Sequence, residues 1–186
     1  RSSDLKKFFP NGNVPNLESY ATAEAAGDDR ALFNGVNRTL DNDDVSTFKS
    51  GFGVAKFTNF KTDGSAGHDA TFPDADFFLM RAAEAYLNFA EADARLHGDQ
   101  TTEEGTAAIN AIRKRAHAST REDRGYSLSD ICDEWSREFY FEGRRRMDLI
   151  RFNRYGGNVN YNWQWKGGTK EGRNFSEKLN IFAIPT

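Results

Sequence analysis

The stretch Phe77-Phe78-Leu79-Met80-Arg81-Ala82-Ala83-Glu84-Ala85-Tyr86-Leu87-Asn88-Phe89-Ala90-Glu91-Ala92-Asp93-Ala94-Arg95-Leu96 decides the fold. Its apolar and small residues fall on nearly all sides of a helix over 77–96, which predicts packing on more than one face. Its alanines let neighbouring elements approach closely. The few charges pair by spacing, Arg81 with Glu84 at i,i+3 and Glu91 with Arg95 at i,i+4. Asp74 or Asp76 is placed to cap the start, because a carboxylate there accepts from free backbone N–H groups and opposes the helix dipole. Gly98 ends it.

Downstream, Thr101-x-x-Glu104 is a capping-box signature for a second helix over 102–116. Ala108, Ala111 or Ile112, and Ala116 form its stripe, with Lys114 and Arg115 where the dipole favours cations. Ser127-x-x-Asp130 caps a third helix over 128–141, in which Leu128, Ile131 or Cys132, Trp135 and Phe139 recur at core spacing. A basic turn follows: Glu142-Gly143-Arg144-Arg145-Arg146-Met147-Asp148-Leu149-Ile150-Arg151-Phe152. The fold class expected is mainly α, a tetratricopeptide-like (TPR-like) helical scaffold with long loops and a few short strands. The helix pair spans about forty residues against a usual repeat period of about 34, and a single unit is visible.

Upstream, residues 1–72 read as a loop-rich approach to the helical core at 73–155. Pro10-Asn11-Gly12-Asn13 is a turn, and residues 19–26 suit a short helix ending at Gly27. Asn34-Gly35 between apolar residues predicts a hairpin. Residues 51–60 predict a strand, with Phe52, Val54 and Lys56 on one face and Ala55 and Phe57 on the other. Gly51-x-Gly53 lacks the helix start and Lys-Ser/Thr of a phosphate loop. Residues 156–186 form an aromatic loop and a closing segment.

Composition narrows the function. Hydrophobic residues make up 38% of the chain, below the usual 45–50% or so. Sixteen Phe, six Tyr and three Trp offset this, since each aromatic buries about 150–250 Å². A net charge of −3 offers no field for nucleic acid. The single cysteine excludes an internal disulfide and argues against a Cys-based zinc site. Its place on a core stripe predicts a small buried hydrophobe. His68, His97 and His117 are scattered and form no metal motif. A start at Arg1 without a leader, and an end on an apolar run, suggest a segment of a longer protein.

Several of these motifs together resemble the SusD/RagB family. Phe78 to Ala92 is similar to that family's Leu-Met-Arg…Ala-Glu-Ala helix. Ala108-Ile109-Asn110-Ala111-Ile112-Arg113-x-Arg115-Ala116 resembles a second family helix. Arg137-Glu138-Phe139-x-Phe141-Glu142-Gly143-x-Arg145-x-x-Asp148-Leu149-Ile150-Arg151-Phe152 resembles its signature segment. Tyr161-x-Trp163-x-Trp165-Lys166-Gly167-Gly168 and Asn180-Ile181-Phe182-Ala183-Ile184-Pro185 resemble its closing segment. Residues 75–186 carry the likeness, with Asp28-Asp29-Arg30 and Gly53-x-x-Lys56-Phe57 weaker matches upstream. The resemblance implies the C-terminal part of a non-catalytic lipoprotein that binds glycans on the outward face of a Bacteroidetes-type outer membrane. It implies delivery of oligosaccharides to a SusC-type TonB-dependent transporter. Membrane attachment would run only through an N-terminal lipid anchor, which this chain lacks.

Three groups of residues are candidate sites. Arg137, Glu138, Glu142, Arg145, Asp148 and Arg151 interleave acids and bases, which favours a structural latch over an anion site; losing one buried partner is expected to cost about 3–5 kcal/mol. Tyr161, Trp163 and Trp165 alternate, so a strand would put them on one face as a sugar platform, or they staple the C-terminus to the helices. Asp74 and Asp76 are calcium candidates, though calcium takes about 6–8 oxygens and capping explains Asp76 equally well. No nucleophile or isolated acid–base pair appears. A TPR-like protein-interaction module without sugar binding, and a helical glycoside hydrolase, are the alternatives.

Overall fold

A computed structural model describes residues 2–12 and 15–183. Among them the chain is mainly α, with a small three-stranded sheet. In order come α1 (Ser2–Leu5), β1 (Glu18–Ser19), α2 (Tyr20–Ala26), β2 (Phe33–Asn34), β3 (Gly53–Val54), α3 (Ala82–Leu96), α4 (Glu103–Arg115), α5 (Leu128–Phe139) and α6 (Arg145–Arg151). Single 3-10 turns lie at Lys6–Phe8, Lys166–Gly168 and Glu177–Asn180. Asn13 of the expected first turn, and Ile184 and Pro185 of the closing segment, lie outside the described residues.

The helical core follows the apolar spacing. Ala83, Leu87, Ala90 and Ala94 of α3 meet Ile109 and Ile112 of α4 and Ile131, Trp135 and Phe139 of α5. Alanine at three of the four α3 positions removes bulk where the helices touch. α5 begins as its motif predicts: the Ser127 side chain accepts from the Asp130 backbone N–H, and the Asp130 carboxylate accepts from the Ser127 N–H. Cys132 is fully buried.

A second core lies on the other side of α5 and draws in the N-terminal residues. Phe8, Phe9, Phe33, Phe52 and Tyr140 pack together with Leu5, Ala31 and Leu40. Phe33 touches Phe8 at 5.5 Å edge-to-face and Tyr140 at 5.4 Å between ring centroids. Phe139 belongs to the first core and its neighbour Tyr140 to the second. The end of α5 is therefore the seam between them. The sheet is antiparallel in the order β1-β2-β3, with Phe33 opposite both Ser19 and Val54. α2 ends where Gly27 turns left-handed at φ 61, and its N–H closes onto the Ala23 and Glu24 carbonyls.

Several local expectations are corrected. The first helix starts at Ala82, not Phe77. Arg81 is extended and reaches across to α5, so the chain is pulled straight before it coils. Phe78, Leu79 and Met80 are exposed, and neither Asp74 nor Asp76 caps the helix. α3 packs one face only among the described residues, leaving Tyr86 and Phe89 about half exposed. The expected Thr101–Glu104 capping box does not form. The Asp93 carboxylate of α3 instead takes the Thr102 N–H at 2.6 Å and its hydroxyl at 3.0 Å. On α4 the expected stripe holds at Ile112 and Ala116, both buried, with Ala108 packed against the core; Ile109 joins it and Ala111 is exposed. Asn34-Gly35 makes no two-residue hairpin, since β2 pairs with β3 across a long connection and the Gly35 N–H bonds to Leu17. The strand expected over 51–60 shrinks to Gly53–Val54, and the third helix ends at Phe139. The basic turn contains a short helix, α6.

Candidate functional site

One face of α5 is acidic and buried. Glu134 and Glu138 sit one helical turn apart, so both carboxylates project from the same side. Glu134 is 1% exposed and holds Arg30 at 2.7 Å, Arg113 at 2.6 Å and Arg137 at 2.7 Å. Glu138 holds Arg30 at 2.9 Å, Arg81 at 2.5 Å and Arg115 at 2.7 Å. Glu142 pairs with Arg81 at 2.8 Å and with Lys56. Further along, Asp148 receives Arg144 at 3.1 Å and Arg151 at 3.0 Å, and Arg151 also pairs with Glu91. Glu91 accepts the Trp135 indole N–H at 3.0 Å.

These contacts set the charge states. Burial pushes the Glu134 carboxyl up, but Arg137, Arg30 and Arg113 outweigh it and hold the group at about 2. Glu138 and Glu142 are likewise raised by burial and carried below the usual range by their guanidinium and ammonium partners. Bidentate, charge-assisted bonds of this kind are the strong ones. They tie four separated segments to α5: Arg30 and Lys56 from the N-terminal half, Arg81 before α3, and Arg113 and Arg115 from α4. Five of the six expected latch residues lie in this lattice. Arg145 stands apart. It pairs with Asp4 at 3.1 Å and donates to the Cys132 carbonyl at 2.9 Å and the Tyr161 hydroxyl at 3.0 Å.

Sequence reasoning missed the lattice's other half. Glu84, expected to pair with Arg81, pairs with Arg144 at 2.9 Å. The expected Glu91–Arg95 pair forms at 2.8 Å. Arg30 and Lys56 lay in the two weaker upstream motif matches, and that was the available signal for them.

The aromatic segment is not a strand. Positive φ at Gly157, Trp165, Gly167, Gly168 and Gly172 breaks any alternation. For a tryptophan, φ 67 is an uncommon backbone state. Trp163 stacks on Tyr155 at 5.9 Å and 21°, and meets Phe175 edge-on at 6.4 Å. Tyr161 lies 6.3 Å from Trp163. Trp165 turns away from both: its indole N–H donates to the Asn42 carbonyl at 2.7 Å, and Gln164 accepts from the Asn42 N–H at 2.9 Å. The segment is tied down by Lys166, which is 1% exposed. Its amine donates to the Tyr161 carbonyl at 2.7 Å and to Asn174 at 3.0 Å.

Between this segment, α5 and α6 lies a cavity of about 390 Å³. Tyr155, Tyr161 and Trp163 form one wall, and Trp135, Ser136 and Phe139 of α5 form another. Tyr161 and Trp163 are thus brought together and Trp165 is not.

Asp74 accepts from the His68 N–H at 2.5 Å on an exposed loop. Among the described residues no three His, Cys, Asp or Glu side chains gather as a metal site requires.

The fold and these contacts define a mainly α scaffold, braced by guanidinium–carboxylate pairs and fronted by an aromatic loop. The SusD family model matches residues 10–182, and the chain belongs to the SusD/RagB family. It is similar to the starch-binding protein SusD of Bacteroides thetaiotaomicron, with 44% identity over 166 residues. That match covers 87% of this chain and 29% of the relative, so the chain spans less than a third of the relative's length.

Proposed function

We propose that this chain is the helical part of a non-catalytic glycan-binding protein, displayed on the outward face of a Bacteroidetes-type outer membrane. It would pass oligosaccharides to a SusC-type TonB-dependent transporter. The observation that carries the reading is the 44% identity to a starch-binding protein over nearly the whole chain. A starch-like glycan is accordingly the first ligand to try. Tyr161 and Trp163 would offer ring faces to the sugar, and Trp165 would hold their loop against Asn42.

The carboxylates support a non-catalytic role. A glycosidase needs one carboxyl kept protonated by a raised pKa. Glu134, Glu138 and Glu142 are instead held ionised by arginines and lysine. No helix among the described residues is long and apolar enough to cross a membrane.

The test is binding of the full-length protein to a starch and xylan panel, with reducing-sugar release measured in parallel. Binding without turnover is expected. Sugar release would restore the hydrolase reading, and protein capture without any glycan binding would favour a TPR-like interaction module. Co-purification with the adjacent transporter tests delivery. Unchanged oligosaccharide affinity in a Trp163→Ala/Trp165→Ala variant would count against the aromatic loop.

A further inference from the structure

The cavity contains polar capacity that the scaffold does not use. The Ser136 hydroxyl and the Arg145 Nε are both buried without a hydrogen-bond partner, and both residues line the cavity. Buried polar groups are nearly always paired, so two orphans on one cavity mark a place where a partner is wanted. The Tyr161 hydroxyl adds a third group. It accepts from Lys7 and from Arg145, each at 3.0 Å, which leaves its own proton free to donate.

Charge decides what kind of partner fits. Arg145 is already matched by Asp4, and Arg144 by Glu84 and Asp148. Arg146 is engaged by the Leu179 carbonyl and the faces of Tyr155 and Phe182. Two of the three arginines on the cavity thus already have a carboxylate partner, and the third is held by a carbonyl and two ring faces. What remains is neutral hydrogen-bonding capacity beside aromatic walls. The volume of about 390 Å³ sits at the small end of ligand pockets, which run from about 300 to 1,000 Å³.

We propose that this cavity binds the end of a neutral glycan, one mono- or disaccharide unit, against Tyr155 and Trp163. Arg145 Nε–H and the Tyr161 hydroxyl donate to sugar oxygens, and Ser136 bonds a sugar hydroxyl. This rests on the glycan-binding reading above and adds to it a defined subsite, with Ser136 and Arg145 as specificity-determining contacts.

The test titrates the full chain with maltose, and with glucuronic acid as the charged control, by calorimetry and amide NMR. Maltose should shift the Ser136 and Trp163 resonances. Ser136→Ala removes an unpaired hydroxyl from a buried helical position and adds no bulk, so its melting temperature should stay level or rise. Its maltose affinity should fall about three- to tenfold, the factor of one neutral hydrogen bond. Tyr161→Phe is the second variant and should weaken maltose similarly. Unchanged maltose affinity in both variants overturns the subsite. So does starch binding by the wild type with no shift at the cavity, while the glycan reading stands. Preference for glucuronic acid overturns the neutral class. Failure of the full-length protein to bind any glycan overturns the parent reading and the subsite with it.

Discussion

Replacing Glu134 by glutamine removes one charge from the centre of the lattice and leaves three guanidiniums around a neutral amide. Arg30 keeps Asp28 at 2.7 Å and Glu138 at 2.9 Å. Arg113 keeps only the Ser119 carbonyl and hydroxyl, and Arg137 only a long bond to the Lys7 carbonyl at 3.4 Å. Two arginines thus lose their one carboxylate. A carboxyl held at about 2 in place of an ordinary 4.5 corresponds to about 3 kcal/mol of preference for the ionised, folded form. Breaking a buried pair costs about 3–5 kcal/mol by a separate route, because charge is left uncompensated. The two figures agree in order. At about 2–4 °C per kcal/mol for a chain of this size, Glu134→Gln should melt about 6–12 °C lower at pH 7.

The pH dependence is the sharper test. The folded state lowers the Glu134 pKa, so its contribution is complete above the unfolded value of 4.5. It is lost as pH falls toward about 2. The gap between wild type and Glu134→Gln should therefore narrow steadily from pH 5 to pH 2. Thermal and urea unfolding followed by circular dichroism at several pH values measures it. A drop under about 2 °C at pH 7, or a gap that does not change with pH, would refute the reasoning. The lattice would then position its segments without contributing net stability, a known outcome for buried ion pairs.

Arg145→Ala should cost less than Glu134→Gln, about 1–3 kcal/mol, because Asp4 is partly exposed and can be solvated; a larger loss in urea unfolding would show that Tyr161 and Cys132 depend on it. Gly105→Ala should destabilise by about 1–3 kcal/mol, since a Cβ there would collide with the Asp93 carboxylate, and the melting temperature reads this directly. Trp163→Ala should lose about 2–3 kcal/mol and most near-ultraviolet dichroism from the Tyr155–Trp163–Phe175 cluster; an unchanged spectrum would mean the stack does not persist in solution.

Much of the helical core was legible from the residues. Leu87, Ala90, Ile112, Ile131, Trp135 and Phe139 announce their burial by spacing, and Ser127 and Asp130 announce a cap that forms between residues three apart. The second core was not legible. Phe8 and Phe33 come from segments without periodicity, Phe52 from an expected strand and Tyr140 from the expected third helix, and only their meeting in space marks them as one core. The cap of α4 shows the same divide: Thr101 and Glu104 have the right spacing, yet Asp93 from the preceding helix reaches the Thr102 N–H first. For the aromatic loop the residues left two arrangements open, a one-faced platform or a staple, because alternation looks the same whether or not the backbone stays extended, and Trp165 at φ 67 does not.

Local order thus determined the helices, the neutralised charge and the family motif, because each depends on residues within a few turns of one another. Tertiary structure decided which acid meets which arginine. Guanidiniums at 30, 81, 113, 115 and 137 are interchangeable on paper. Distance and burial alone select the carboxylate each one serves. The same holds for the cavity: Ser136, Arg145 and Tyr161 share no motif, and they face one space only because α5, α6 and the aromatic loop close around it.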